Sequence, residues 1–142
     1  MEQLVIILSL WLTANFDLPP AAELPHVVQM PSEQIAAIHY GNANDGRTNA
    51  ADFLGAYDSR TETIYLREGW SPGSVADVSV LVHELVHHLQ HRADLRYSCP
   101  QAREALAYEA QARWLALFGD DLESAFALDR MSIKLKTQCL PH

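Results

Sequence analysis

Apolar residues recur along this chain with two different periods, and each change of period marks a change of element. Leu4, Ile7, Leu8, Trp11 and Leu12 follow the i, i+3, i+4, i+7, i+8 spacing of an amphipathic helix, predicted over residues 3–15. Pro19-Pro20 lies beyond its end, since tandem proline cannot continue a helix. After a proline-rich connector over 17–25, the short apolar run from His26 to Met30 reads as a strand. Pro31-Ser32-Glu33-Gln34 opens a short helix with Ser32 as N-cap and Ile35 and Ile38 on its apolar side. Residues 42–51 are polar, with Asn44-Asp45-Gly46 as a turn signal. Two extended runs follow, 52–57 and 62–67, joined by Asp58-Ser59-Arg60-Thr61, which is a hairpin pattern. In the second run Ile64 and Leu66 face one way, and Thr63, Tyr65 and Arg67 face the other.

Beyond a turn cluster at 68–73 the pattern becomes apolar most of the way round. Val75, Val78, Val80, Leu81, Val82, Leu85, Val86 and Leu89 predict a helix over 75–92, with Ser74 as N-cap and Asp77 at N3. A helix that is apolar on every side is a buried one. Ser98 and Gln101 form the signature of a second long helix, over 98–118 and stopped by Gly119. Asp120-Asp121 caps a short helix to about 128, and the weak alternation of Ile133 and Leu135 predicts a last strand over 131–138. The expected fold is a single α+β domain over 1–142: a short β-sheet with a hairpin, packed on a central helix and followed by a second long helix.

Composition agrees with one domain, because 49% hydrophobic residues in 142 are enough to fill a core. The formal charge of −8 argues against nucleic acid and against anionic lipid, both of which select a basic surface. The apolar run at 4–12 is too short for a stable membrane span. No Lys or Arg precedes it and no Ala-x-Ala follows, so a buried first helix and a cytoplasmic location are favoured. A signal segment there would instead imply the periplasm or secretion. Cys99 and Cys139 stand far apart with no Cys-x-x-Cys between them, which argues against a thiolate metal site. A disulfide and a pair of reduced thiols remain equally open; a bridge closing so long a loop would stabilise by roughly 4 kcal/mol on a chain-entropy argument.

The chemistry lies in the most apolar helix. His83-Glu84-Leu85-Val86-His87 places two imidazoles one turn apart on one helical face, within reach of a single metal ion. Glu84 lies about 100° round from His83, close to where a water on that metal would sit. Buried polar groups are costly unless paired, and a metal explains these three. A catalytic zinc takes three protein ligands and a water, so a third ligand is needed from the next long helix. Glu104 and Glu109 are about 140° apart on that helix. Glu104 shares a mostly apolar face with Tyr108, Gln111, Leu115 and Phe118, whereas Glu109 has Arg113 four residues on, a surface ion pair. Glu104 is therefore the preferred ligand and Glu109 the alternative.

His83-Glu84-Leu85-Val86-His87 followed by Glu104-Ala105-Leu106-Ala107-Tyr108 resembles the gluzincin pattern, H-E-x-x-H then E-x-x-(A/S)-D, of thermolysin-like zinc metallopeptidases and their very short single-domain members. The resemblance covers residues 83–108 and selects Glu104 independently. It departs at Tyr108, where many relatives have an Asp that braces a ligating histidine. It implies one Zn2+ per chain on His83, His87 and Glu104, and peptide or protein as substrate. It also implies Glu84 as base toward water and then as acid toward the leaving amine. Residues 64–67 would be the sheet edge that pairs with substrate. The short chain leaves room for a protein partner completing the cleft. Tyr108 and His91 are candidates for bracing a ligand or touching substrate, and Tyr57, Tyr65, Tyr97 and His91 for stabilising an oxyanion. His88 is expected to be solvated at the helix end, and His26, His39 and His142 to be incidental. The alternative reading is a non-catalytic zinc-binding or interaction module on the same fold.

Overall fold

The computed structural model describes residues 1–40 and 53–139; the polar loop expected at 42–51 lies outside them. The described chain is a mixed α+β fold of six α-helices and a three-stranded sheet. In order these are α1 (Glu2–Asn15), β1 (His26–Met30), α2 (Ser32–Tyr40), β2 (Gly55–Asp58), β3 (Thr63–Arg67) and α3 (Val75–Arg92). A 3-10 turn, Pro100–Arg103, leads into α4 (Glu104–Ala116), followed by α5 (Leu122–Phe126) and α6 (Arg130–Thr137).

α3 is the centre of the core. Leu81, Val82, Leu85 and Val86 are completely buried, as the all-round apolar pattern requires, and each contributes about 1.5–3 kcal/mol by leaving water. α1 lies against one side of it and α4 against another, while β2 and β3 cover a third. The expected α1 stripe is rotated by a fraction of a turn: Val5, Leu8 and Leu12 are buried, and Ile7 is 60% exposed. Among the described residues no helix is long and apolar enough to cross a membrane.

The start of α3 is clamped. Ser74 accepts from the Asp77 amide at 3.1 Å, completing the expected cap. The Asp77 carboxylate accepts from Arg67 Nη2 at 2.9 and 3.1 Å and from the Ser71 amide at 3.0 Å. Trp70 Nε1–H donates to the Asp77 carbonyl at 2.6 Å. An acid in the first turn also complements the helix dipole. These contacts tie β3 to the helix that carries His83 and His87, so sheet and helix are held in register.

Three expectations are corrected. The sheet order is β1-β3-β2, with β1 parallel and β2 antiparallel to β3. Residues 64–67 therefore form the middle strand, whose main-chain groups are taken on both sides, and the site-side edge belongs to β2. Residues 131–138 are helical: α6 is amphipathic and is capped by Asp129, whose carboxylate accepts from the Ser132 amide at 2.8 Å. Ile133 and Leu135, read as alternation, sit instead on a short helix. Ser98 does not cap a helix; the chain first makes the 3-10 turn from Cys99, with Pro100 in its opening position, and α4 begins only at Glu104. Cys99 and Cys139 form a disulfide, which ties that turn to the end of α6.

Candidate metal site

α3 and α4 pack along much of their length, and the site lies where they face each other. His83 and His87 are one turn apart on α3, with rings 5.1 Å between centroids. Glu104, the first residue of α4, reaches both: His83 Nε2 is 3.1 Å from Oε1 and His87 Nε2 is 2.5 Å from Oε2. These three residues each offer one atom within 4.8 Å of the others, and among the described residues they are the group able to hold a metal ion. Two imidazole nitrogens and one carboxylate are the donor set of a His2Glu site with an open position, so the residues fit a metal. Glu109 bonds to Arg113 at 3.2 Å on the exposed face of α4. The helical phase that separated the two glutamates from sequence is thus the phase observed.

The electrostatics follow from burial and proximity. Burial alone would pull the His87 imidazole down; the Glu104 carboxylate, with Glu84 adding to it, outweighs this and holds His87 up at about 9. Burial would raise the Glu104 carboxyl, but His87 and His83 hold it well below the usual carboxylate range. Glu84 is itself 4% exposed. It lines a cleft of 740 Å3 with the three ligand residues, between the β2 edge and the segment from Asp94 to Arg103, with α6 across from them. Gly55 lets β2 approach this closely. A β-carbon there would meet Val80 Cγ1 at 2.6 Å and Glu84 Oε2 at 3.3 Å.

The remaining candidates separate by geometry. Tyr108 is buried with its ring edge-on to His83, centroids 4.6 Å apart, so it packs on the ligand. The acceptor at His83 Nδ1 is Gln111 Oε1, at 2.9 Å. His91 lies on the cleft rim with Glu62, 3.5 Å away. His88 is not solvated: it is 1% exposed, and its Nε2–H donates to the Glu23 carbonyl at 2.8 Å. That leaves Nδ1 as acceptor for the Tyr57 hydroxyl, also at 2.8 Å. The Tyr57 hydroxyl proton is thus committed to His88, and burial and Glu62 raise its pKa. Tyr65 lies on the central strand away from the cleft, whereas Tyr97 and His91 line it.

Three positions to which the sequence assigned no role lie at the site. Gln111 shares the inward face of α4 with Glu104, and its phase was the available signal. Gln90 follows His87 by three residues and accepts from His87 Nδ1 at 2.9 Å. His39, taken as incidental, lines the cleft and donates from Nε2 to the Gly55 carbonyl at 2.7 Å.

Fold and site together define an α+β domain with a two-histidine, one-glutamate candidate metal site in an open cleft. The chain belongs to the family described as Domain of unknown function (DUF6647), which matches it over residues 1–142. None of the curated proteins and none of the solved structures matches it.

Proposed function

We propose that this protein is a zinc-dependent hydrolase of peptide bonds, on a zincin-like fold of the gluzincin type. One observation carries the reading: His83, His87 and Glu104 converge while a fourth polar side chain, Glu84, is buried beside them in the same cleft. A site that only binds metal has no use for a further carboxylate lining the cleft next to its ligands. Among the described residues no Lys or Arg pairs with Glu84, so its carboxylate is not accounted for by an ion pair.

When bound, zinc supplies a Lewis acid that polarises a carbonyl and brings a water's pKa toward neutrality. The chain's own residues do the rest. Glu84 takes the proton from the attacking water and delivers it to the departing amine. The outer edge of β2 aligns an extended peptide. Leu54 O accepts from Arg67 N at 3.1 Å, so strand alternation turns the main-chain groups of Gly55 and Tyr57 outward. His39 already occupies the Gly55 carbonyl, which leaves Tyr57 to pair with substrate. Tyr97 and His91, on the rim, are the groups within the cleft for the developing oxyanion.

The test has two parts. Protein purified without chelators should carry one equivalent of zinc by elemental analysis. Glu84→Gln should keep that zinc and lose hydrolysis of a peptide library; a variant that still cleaves at the parental rate would sink the mechanism. A non-catalytic module predicts instead that the parent cleaves nothing and that chelation costs much of its stability.

A further inference from the structure

We propose that Gln90 and Gln111 are positioning residues that set the tautomer and aim of His87 and His83, and that two main-chain carbonyls dictate the direction of both networks. The inference rests on the metal reading above for its consequence, though not for its geometry.

Both networks end on main-chain carbonyls, which can only accept. Ser79 Oγ lies 2.6 Å from the Ala76 carbonyl, so its hydroxyl proton goes there. Its oxygen must then accept from its other neighbour, Gln111 Nε2, at 3.2 Å. That fixes the amide orientation and turns Gln111 Oε1 to His83 Nδ1 at 2.9 Å. Since an amide oxygen only accepts, His83 carries its proton on Nδ1. The second network runs the same way. The Arg103 carbonyl accepts from Gln90 Nε2 at 3.0 Å, and the same amide nitrogen donates to the Tyr97 hydroxyl at 2.9 Å. Gln90 Oε1 therefore faces His87 at 2.9 Å and accepts a hydrogen bond from Nδ1–H.

Both Nδ1 positions are thus occupied by N–H bonds, and both Nε2 atoms point at Glu104. Nε2 is the ligating nitrogen in each case. The partners are neutral amides on α3 and α4, and the position three residues before Gln111 holds the ring of Tyr108, packed on His83. An uncharged acceptor orients the imidazole without adding negative charge behind it. Among the described residues Glu104 and Glu84 would then balance a bound cation, which would be a stronger Lewis acid than with a carboxylate behind each histidine.

The experiment measures zinc affinity by chelator competition, and histidine tautomers by long-range 1H–15N spectra, on the whole chain. Gln111→Leu, a volume-conserving change at a buried position, should weaken zinc by roughly 10–100-fold, as should Gln90→Leu. Ser79→Ala touches no ligand but frees the Gln111 amide to flip, and should fall between wild type and Gln111→Leu. Gln111→Glu still accepts from Nδ1 and should restore affinity to the wild-type level or above. Circular dichroism checks that each variant folds. Leucine variants within about twofold of wild type, or Nδ1 as the metallated nitrogen in the zinc-loaded protein, would overturn the proposal. If wild type binds no zinc the hydrolase reading fails, and the networks are then judged on the metal-free protein. Slowly exchanging Nδ1–H signals from His83 and His87, lost in the leucine variants, uphold them; their absence in wild type ends the proposal.

Discussion

The two histidines of the site have similar roles and very different surroundings. His83 is held from the helix interface: its partner Gln111 sits on α4, and the network ends within α3 at the Ala76 carbonyl. Its side chains, His83, Gln111 and Ser79, are all buried. His87 is held from the segment that follows α3. There Asp94 adopts a positive φ of 51°, and the Leu95 amide returns to the Gln90 carbonyl at 3.1 Å, turning the chain back over the helix end. Tyr97 and Arg103 of that segment grip Gln90, and the Cys99–Cys139 disulfide ties the segment to α6. One half of the site is positioned by a hydrophobic core and the other by a stapled loop. Glu104, the residue directly after Arg103, joins them.

The largest effect is expected where the halves meet. Glu104→Ala removes a ligand, and zinc affinity should fall by more than the roughly 10–100-fold that losing an outer hydrogen-bond partner costs. Glu109→Gln, on the exposed side of the same helix, should leave it unchanged. Chelator competition on the two variants decides between them, and equal losses would mean that the helix phase has been misread.

The next effect separates the halves. Cys99→Ser with Cys139→Ser should lower unfolding free energy in urea by about 4 kcal/mol at most. If the loop positions His87 and the core positions His83, the Gln90 side-chain amide should exchange faster in this variant while that of Gln111 stays protected. Equal exchange of both amides would erase the distinction drawn above.

The same contrast explains what could be read in advance. α3 and its two histidines were legible because hydrophobic periodicity and motif spacing are both local, and Glu104 was legible because helical phase fixes a face. Sheet order is not local. Nothing in the alternation at 63–67 says that β1 will pair on its far side, so the sheet edge was assigned to the wrong strand. α6 failed for another reason: Ile133 and Leu135 are too few to distinguish a period of two from one of 3.6. Gln90 went unnoticed and Gln111, though placed on the inward face, was given no role, because a neutral amide becomes informative only when both of its ends have named partners. His88 was misjudged because its acceptor, the Glu23 carbonyl, is distant in sequence.

A pH titration of the metal-free protein sharpens the His87 side. Its folded pKa of about 9 lies above the ordinary 6.5, so the stability it contributes is fully present below 6.5 and is lost as pH rises through 9. Glu104, lowered well below 4.5, contributes stability that is present above 4.5 and is lost only as pH falls through its folded value. The metal-free protein should therefore melt at a lower temperature near pH 10 than near pH 6, and Glu104→Gln should flatten that slope. Metal must displace the same proton, so zinc binding should release a proton below pH 9 and tighten as pH rises toward it. Calorimetry in buffers of different ionisation enthalpy counts the proton.

The smallest expected change tests how much of the loop's grip is redundant. Tyr97→Phe removes one of the two acceptors of the Gln90 amide and leaves the other, the Arg103 carbonyl, in place. The amide orientation is set by that carbonyl, so the His87 tautomer should survive. The cost should be that of one partly exposed hydrogen bond, about 0.5–1.5 kcal/mol in stability, with at most a few-fold loss in zinc affinity. A loss as large as that of Gln90→Leu would mean that the tyrosine hydroxyl, rather than the main chain, holds the glutamine. The stapled loop would then act through its side chains, and the parallel with the Gln111 network, which ends on a carbonyl through Ser79, would be broken.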